Sequence, residues 1–241
     1  MSCDVAAIIQ ARNGSVRLPG KVMRQVNGKP IISYVVESVR KSKLIDDIVV
    51  ATTSDSIDDV MVDFLSSCDV KVFRGSLLDV LDRYYRAALN FGFKNIVRIT
   101  ADCPLMDGAV IDKVVGKFLE GGYDYGCNVL VRTFPDGLDV EVFSFQALQR
   151  AWQEAHEARE REHVTIYIRN HPEIFSAFNI RCEQDWGKRR WTLDYEEDFL
   201  LVEGVLKHFT KRLASFCFED VAKFLDGHPE FEALNRKHVK Y

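Results

Sequence analysis

Val5-Ala6-Ala7-Ile8-Ile9-Gln10 runs without a break into Ala11-Arg12-Asn13-Gly14-Ser15-Val16-Arg17-Leu18-Pro19-Gly20-Lys21, and the reading of the whole chain turns on this stretch. Val5 to Ile9 is an apolar run too short for an ordinary helix and suited to a buried parallel strand. Outward from it, the same rhythm repeats. Asn27-Gly28 marks a turn, Pro30 stands where a helix begins, and Ile31, Ile32, Val35, Val36 and Val39 recur at helical spacing. Asp47 to Thr52 reads as a second strand. Ser54 or Asp55 can then cap a helix that shows Ile57, Val60, Met61, Phe64 and Leu65 on one side. Val70 to Phe73 (strand), Leu78 to Asn90 (helix) and Asn95 to Thr100 (strand) follow. Asp107 then caps a helix carrying Val110, Ile111, Val114, Val115, Phe118 and Leu119. This alternation predicts an α/β fold, a predominantly parallel sheet with helices on both faces.

Past Gly121 the rhythm changes. Tyr123 to Val131 and Leu138 to Phe143 read as strands with no helix between them. Helices are predicted around Phe145 to Ala155 and from His163 to Asn170, with a further strand from Phe175 to Ile180. Phe199, Val202, Leu206 and Phe209 mark a last long helix, and Val221 to Leu225 a shorter one. No internal repeat or low-complexity linker appears. The expectation is one domain over 1–241: a nucleotide-binding half (1–120), a smaller mixed β/α region for sugar binding or dimerisation (121–190), and a returning segment (191–241).

The totals narrow the function. The chain has 241 residues, 47% of them apolar, enough for one large core; 36 acidic against 32 basic residues leave a net charge of −4. A general nucleic-acid binder would carry a basic excess, so none is expected as a partner. The amino terminus lacks the pattern of a secretory signal, and no apolar run approaches the ~20 residues needed to cross a bilayer. Cys3, Cys68, Cys103, Cys127, Cys182 and Cys217 are widely scattered with no C-x-x-C, which fits a reduced cytoplasmic setting with most of them filling the core.

The loop after the first strand carries the first chemical signal. Ligands of open α/β sheets sit beyond the carboxyl ends of the strands. Gly14 and Ser15 let backbone N–H groups approach an anion, and Arg12, Arg17 and Lys21 add three cations, a sensible number for the roughly four charges of a nucleoside triphosphate. Lys21 is followed by Val22, so the loop is not a P-loop, and G-x-G-x-x-G is absent, which counts against a dinucleotide-binding oxidoreductase. Asp102, closing the Asn95 to Thr100 strand, would face the same crevice, and a carboxylate there suits magnesium. Asp194 reads on its own as the cap of the following helix, with Glu197 completing a capping box.

The run from Ile8 to Lys21 resembles the opening signature of the sugar cytidylyltransferases, which include the enzymes activating 3-deoxy-manno-octulosonate and sialic acids, and it looks most like the spore-coat polysaccharide (SpsF-like) branch. Further segments resemble that branch in order along the chain: Phe73-Arg74-Gly75-Ser76 with Asp79 to Tyr84, Pro135 to Val142, and Glu160 to Thr165. The resemblance implies a GT-A-like nucleotidyltransferase fold, CTP and a small sugar or sugar acid as substrates, Mg2+ as cofactor, and pairing into a homodimer. It implies nucleotide binding by Ala11, Arg12, Gly14, Ser15, Arg17 and Lys21, with Arg74 near the cytosine. Asp102 and Asp194 would hold metal, and Lys21 and Asp102 would be catalytic. Asp139, Glu141, Glu162 and His163 are candidates for the sugar pocket. Ala101-Asp102-Cys103-Pro104 stands where octulosonate enzymes have Gly-Asp-Glu-Pro, so the sugar half transfers less well than the nucleotide half. A glycosyltransferase of similar architecture and a non-catalytic nucleotide-binding module are the alternatives. The former often shows Asp-x-Asp at a strand end, which Asp102-Cys103-Pro104 does not supply.

Overall fold

The computed structural model describes residues 4–210 and 216–239. In chain order the elements are β1 (Val5–Gln10), β2 (Gln25–Val26), β3 (Lys29–Pro30), α1 (Ile31–Val39), β4 (Asp47–Thr53), α2 (Asp59–Ser67), β5 (Lys71–Gly75), α3 (Val80–Phe91), β6 (Asn95–Thr100), α4 (Gly108–Leu119), β7 (Tyr125–Cys127), β8 (Glu141–Ser144), α5 (Phe145–Glu154), α6 (Ala158–Glu162), α7 (Ile166–Asn170), β9 (Ala177–Asn179), α8 (Glu196–His208), α9 (Phe218–Gly227) and α10 (Pro229–Asn235). Seven strands form one sheet in the order β5-β4-β1-β6-β8-β7-β9, while β2 and β3 make a small antiparallel pair. β1 pairs in parallel with β4 and β6, and β4 with β5. β8 runs antiparallel to both of its neighbours, β6 and β7, and β9 runs parallel to β7. Within the sheet, β8 is therefore the strand that opposes the rest.

Alternation along β1 explains why an unbroken apolar run is needed there. Val5, Ala7 and Ile9 enter one core with α1, α4, α8 and α9, whereas Ala6 and Ile8 enter another with α3, α5 and α7. Helices thus cover both faces of the predominantly parallel sheet, as the alternating pattern predicts. The second half is less regular than its apolar pattern implies. The expected strand from Tyr123 to Val131 is reduced to β7 because Asn128 replaces the ladder with its own amide. Asn128 Nδ2 donates to Leu138 O at 2.7 Å, and Val140 N donates to Asn128 Oδ1 at 2.9 Å. The expected helix from His163 to Asn170 is confined to α7, preceded by the short α6, and α10 follows α9 with Pro229 in its first turn. Of the cysteines expected to fill the core, Cys103 and Cys127 are buried and Cys68 is exposed; Cys3 lies outside the described residues. Among the described residues no helix is long and apolar enough to cross a membrane.

Candidate active site

Parallel pairing places the chemistry. Gln10 is in register with both Ala51 and Thr100, so β1, β4 and β6 end at the same edge of the sheet. The Ala11 to Lys21 loop leaves from the first of these ends and Asp102 from the third. Ala101 N donates to Gln10 O at 2.9 Å, holding the β6 exit beside the loop. Residues 191–194 arrive from far along the chain and dock on the same spot: Leu193 N and Thr192 Oγ1 donate to Asp102 O at 2.8 and 3.2 Å. A cavity of about 510 Å³ opens there, within the range typical of small-molecule sites.

At its floor lies Lys21, 9% exposed, whose Nζ donates to Asp102 Oδ2 (2.7 Å), Leu193 O (2.8 Å) and Asp194 Oδ1 (2.9 Å). An ammonium has three N–H groups, and all three are committed. Burial alone would lower the Lys21 pKa, but Asp102 and Asp194 carry it above its ordinary value. Burial likewise works to raise Asp194, and the Lys21 and Arg17 charges overcome it and hold that carboxyl below the usual carboxylate range. Arg17 meets the same Asp194 Oδ1 at 2.6 Å. The other oxygen, Oδ2, accepts from the buried Arg190 at 3.2 Å, and Arg190 is itself fixed by Asp198 at 2.9 and 2.8 Å. Asp194 does not cap the following helix. Asp198 Oδ2 takes the backbone N–H groups of Asp194 and Tyr195 instead, leaving the Asp194 carboxylate to face the cavity.

Ala11, Arg12, Ser15, Arg17, Lys21, Asp102, Asp139, His163 and Asp194 all line the cavity. Gly14 does not, and a Cβ there would meet nothing within 4 Å, so the fold itself does not demand a glycine. Three other candidates are placed elsewhere. Arg74 donates to Thr53 O and Asp55 O (both 2.9 Å) and pairs with Asp59 at 2.7 Å, which ties its guanidinium to the segment after β4 rather than to the cavity. Glu141 is buried and built into the sheet. It pairs with Arg98 at 2.5 Å and accepts from Tyr125 Oη and Thr165 Oγ1 at 2.6 Å each. Burial would raise its pKa, yet Arg98 and the two hydroxyls hold it below the usual range. Glu162 is exposed on α6 and does not reach the cavity.

Arg98, Asp136 and Arg190 line the cavity without having been singled out from the sequence. Asp136 lies opposite Arg190 in an isolated parallel bridge, with Trp191 N donating to Asp136 O at 2.6 Å. The adjacent Gly137 has φ +118°, and a Cβ there would sit 2.7 Å from Trp191 C, so glycine is what lets the two segments touch. Burial, followed by the neighbouring Asp139, pushes the Asp136 carboxyl up to about 6 despite Arg132 and Arg190. Asp136-Gly137 is a visible turn signal in the sequence, but nothing local ties it to Arg190.

Asp102 and Asp194 converge on one ammonium, and among the described residues no three His, Cys, Asp or Glu side chains cluster as a metal-binding group. Two carboxylate ligands fit magnesium, which keeps waters and takes phosphate oxygens for the rest of its shell.

Comparison with known proteins identifies the family. A family model described as cytidylyltransferase matches residues 6–223. An uncharacterised protein of Methanocaldococcus jannaschii is 40% identical over 96% of this chain and 94% of its own length. The spore coat polysaccharide biosynthesis protein SpsF of Bacillus subtilis is 31% identical over 87% and 89%. Among solved structures, a cytidylyltransferase from Leptospira borgpetersenii superposes with a TM-score of 0.90 at 33% identity, covering 95% of this chain and 96% of that one. A CMP:2-keto-3-deoxy-manno-octonic acid synthetase complexed with CTP shares the fold, with a TM-score of 0.66 at 14% identity over 85% of this chain and 99% of that one. The chain belongs to the cytidylyltransferase family.

Proposed function

We propose that this protein transfers CMP from CTP to a small sugar or sugar acid and releases pyrophosphate, in the service of a surface polysaccharide or glycoconjugate. One observation carries the reading: a loop with three cations, the strand-end Asp102 and the remote Asp194 meet at one mouth of the sheet, joined through Lys21 Nζ. Arg12, Arg17 and Lys21 would receive the triphosphate. Asp102 and Asp194 would hold magnesium, which when bound supplies charge neutralisation at the phosphates.

The chain's own residues have a rearrangement to make. Lys21 and Arg17 both bond Asp194 Oδ1. A triphosphate offers these cations more negative charge and more acceptor oxygens, and their transfer to it would expose Asp102 Oδ2 and Asp194 Oδ1 together. Arg190 keeps its hold on Asp194 Oδ2 throughout, so the carboxylate stays oriented while its other oxygen is released. Asp136, with a proton affinity near neutrality and a place in the cavity wall, is suited to take the proton of an acceptor hydroxyl. The in-line attack on the α-phosphorus is then a matter of positioning and charge stabilisation.

The test is pyrophosphate release from each of the four nucleoside triphosphates with magnesium, against a panel of sugars, sugar acids and sugar phosphates. Pyrophosphate from CTP with one class of acceptor is the expected result. Release of a nucleoside mono- or diphosphate from a ready-made nucleotide sugar would instead identify a glycosyltransferase, and CTP binding with no turnover on any acceptor a non-catalytic module.

A further inference from the structure

Asp58 lies outside the cavity, is 0% exposed, and spends its carboxylate on neutral donors. Oδ2 accepts from Thr52 Oγ1 at 2.9 Å, Thr53 N at 3.2 Å and Thr53 Oγ1, which fastens it to the end of β4. Oδ1 accepts a single bond, from Asn13 N at 2.6 Å. That one bond reaches across to the cationic loop after β1. Asn13 in turn closes the loop on itself, since its carbonyl accepts from Ser15 N at 2.8 Å and from Gly20 N at 3.0 Å. Its side chain adds a bond from Nδ2 to Ile57 O at 3.0 Å. Lys21 follows Gly20 directly, so the path from Asp58 to the ammonium at the cavity floor runs through one residue and its two loop-closing bonds.

We propose that Asp58 is the positioning residue of the triphosphate loop, acting through Asn13 to hold Arg17 and Lys21 where the phosphates bind. The proposal rests on the CTP reading above. An eight-residue stretch with glycines at positions 14 and 20 is costly to order, and ordering it before the ligand arrives removes that cost from binding. A buried carboxylate is an expensive way to do this, and it is retained because an acceptor with two oxygens can hold a strand end and a loop at once.

The charge of Asp58 supplies a discriminating sign. It lies behind a loop that binds an anion, so removing it by Asp58→Asn should tighten triphosphate binding if only electrostatics matter. Positioning requires the reverse. The amide introduced by that substitution presents a donor where the Thr53 or Asn13 N–H already points, which disturbs the anchor while leaving every cavity residue unchanged. Calorimetric titration of the wild type and Asp58→Asn with CTP and magnesium should show a Kd weakened about tenfold, while the acceptor KM moves less than twofold. Hydrogen exchange should show faster exchange of the amides of residues 13–20 in the nucleotide-free variant. Thr53→Val, which keeps the carboxylate and deletes one of its supports, should give about a threefold loss of CTP affinity and serves if Asp58→Asn does not fold. A folded Asp58→Asn with unchanged or tighter CTP binding overturns the proposal, as does an unchanged Kd in Thr53→Val if that variant alone can be measured. Failure of the wild type to bind CTP would sink the nucleotide reading itself, a separate outcome.

Discussion

Residues 5–107 and residues 121–194 meet at one cavity, but they reach it by different means. The first segment delivers its groups from the carboxyl ends of parallel strands, in register across Gln10, Ala51 and Thr100. The second delivers Asp136, Asp139 and Arg190 from irregular backbone, clamped by the Asp136–Arg190 bridge and by Asn128 acting in place of a strand. Their charges differ too. On the strand-end side Lys21 is held by Asp102 and Asp194, and Arg17 by Asp194, carboxylates that the proposed triphosphate would replace. In the second segment Arg132 and Arg190 are each paired with a carboxylate of that same segment, Asp139 and Asp136. A triphosphate site can be assembled from a repeated strand-end device. The proposed acceptor site is shaped instead by contacts between irregular segments.

The largest effect should come from the strand-end side. Asp102→Asn removes the charge from one of the two proposed metal ligands and weakens the hold on Lys21, while leaving the loop cations in place. Turnover should fall by roughly 10²–10³, on the order of 3–4 kcal/mol in the barrier, the range seen when one preorganised charge-stabilising group is lost. CTP affinity measured by calorimetry should change by less than about threefold. Near-normal turnover in magnesium would remove Asp102 from the metal site and with it the contrast between the two walls.

Asp136→Asn tests the opposite wall, and its sign depends on pH. A carboxyl raised to about 6 in the folded protein binds more protons than the unfolded chain between its ordinary value and 6. Its contribution therefore declines as pH rises through that window, leaving the native state on the order of 2 kcal/mol less stable at pH 7 than at pH 4 on account of this group. The asparagine variant should consequently gain thermal stability relative to wild type at pH 7.5 and not at pH 4. If Asp136 takes the acceptor proton, kcat should fall in the same variant, and the wild-type kcat/KM should drop below about pH 6. Gained stability with full activity would make Asp136 a passive wall; lost stability at pH 7.5 would mean that its pairing with Arg190 outweighs its burial.

What could be read in advance divides along the same line. The strands, the helix starts at Pro30 and Asp107, and the meeting of Arg12, Arg17 and Lys21 with Asp102 all follow from local pattern plus the rule that parallel strands end together. Asp194 is ambiguous in sequence because a cap and a cavity carboxylate look alike there; only the position of Asp198 decides between them. Glu141 is misplaced by sequence reasoning for a related cause. Strand alternation says that a residue faces one side of the sheet, but not that Arg98, Tyr125 and Thr165 wait there to consume it. Asp58 gives no signal at all, since its loop partner Asn13 lies 45 residues away; Arg190 stands only four residues before Asp194, but nothing local ties it to Asp136, 54 residues away.

Arg74 gives the smallest expected effect and separates the two halves most finely, since it lies on the nucleotide half but outside the cavity. Its guanidinium is partly exposed, and its ion pair with Asp59 joins side chains that both reach solvent, so the pair itself is worth about 0–1 kcal/mol. The bonds to Thr53 O and Asp55 O matter more, because they steady the chain between β4 and Asp58. Arg74→Ala should therefore lower thermal stability slightly, and shift CTP affinity less than about twofold with no change in preference among the four triphosphates. A tenfold loss confined to CTP, with UTP unaffected, would mean that the guanidinium leaves its carbonyl partners to read the base. The segment after β4 would then be a moving part of the nucleotide site rather than its fixed support.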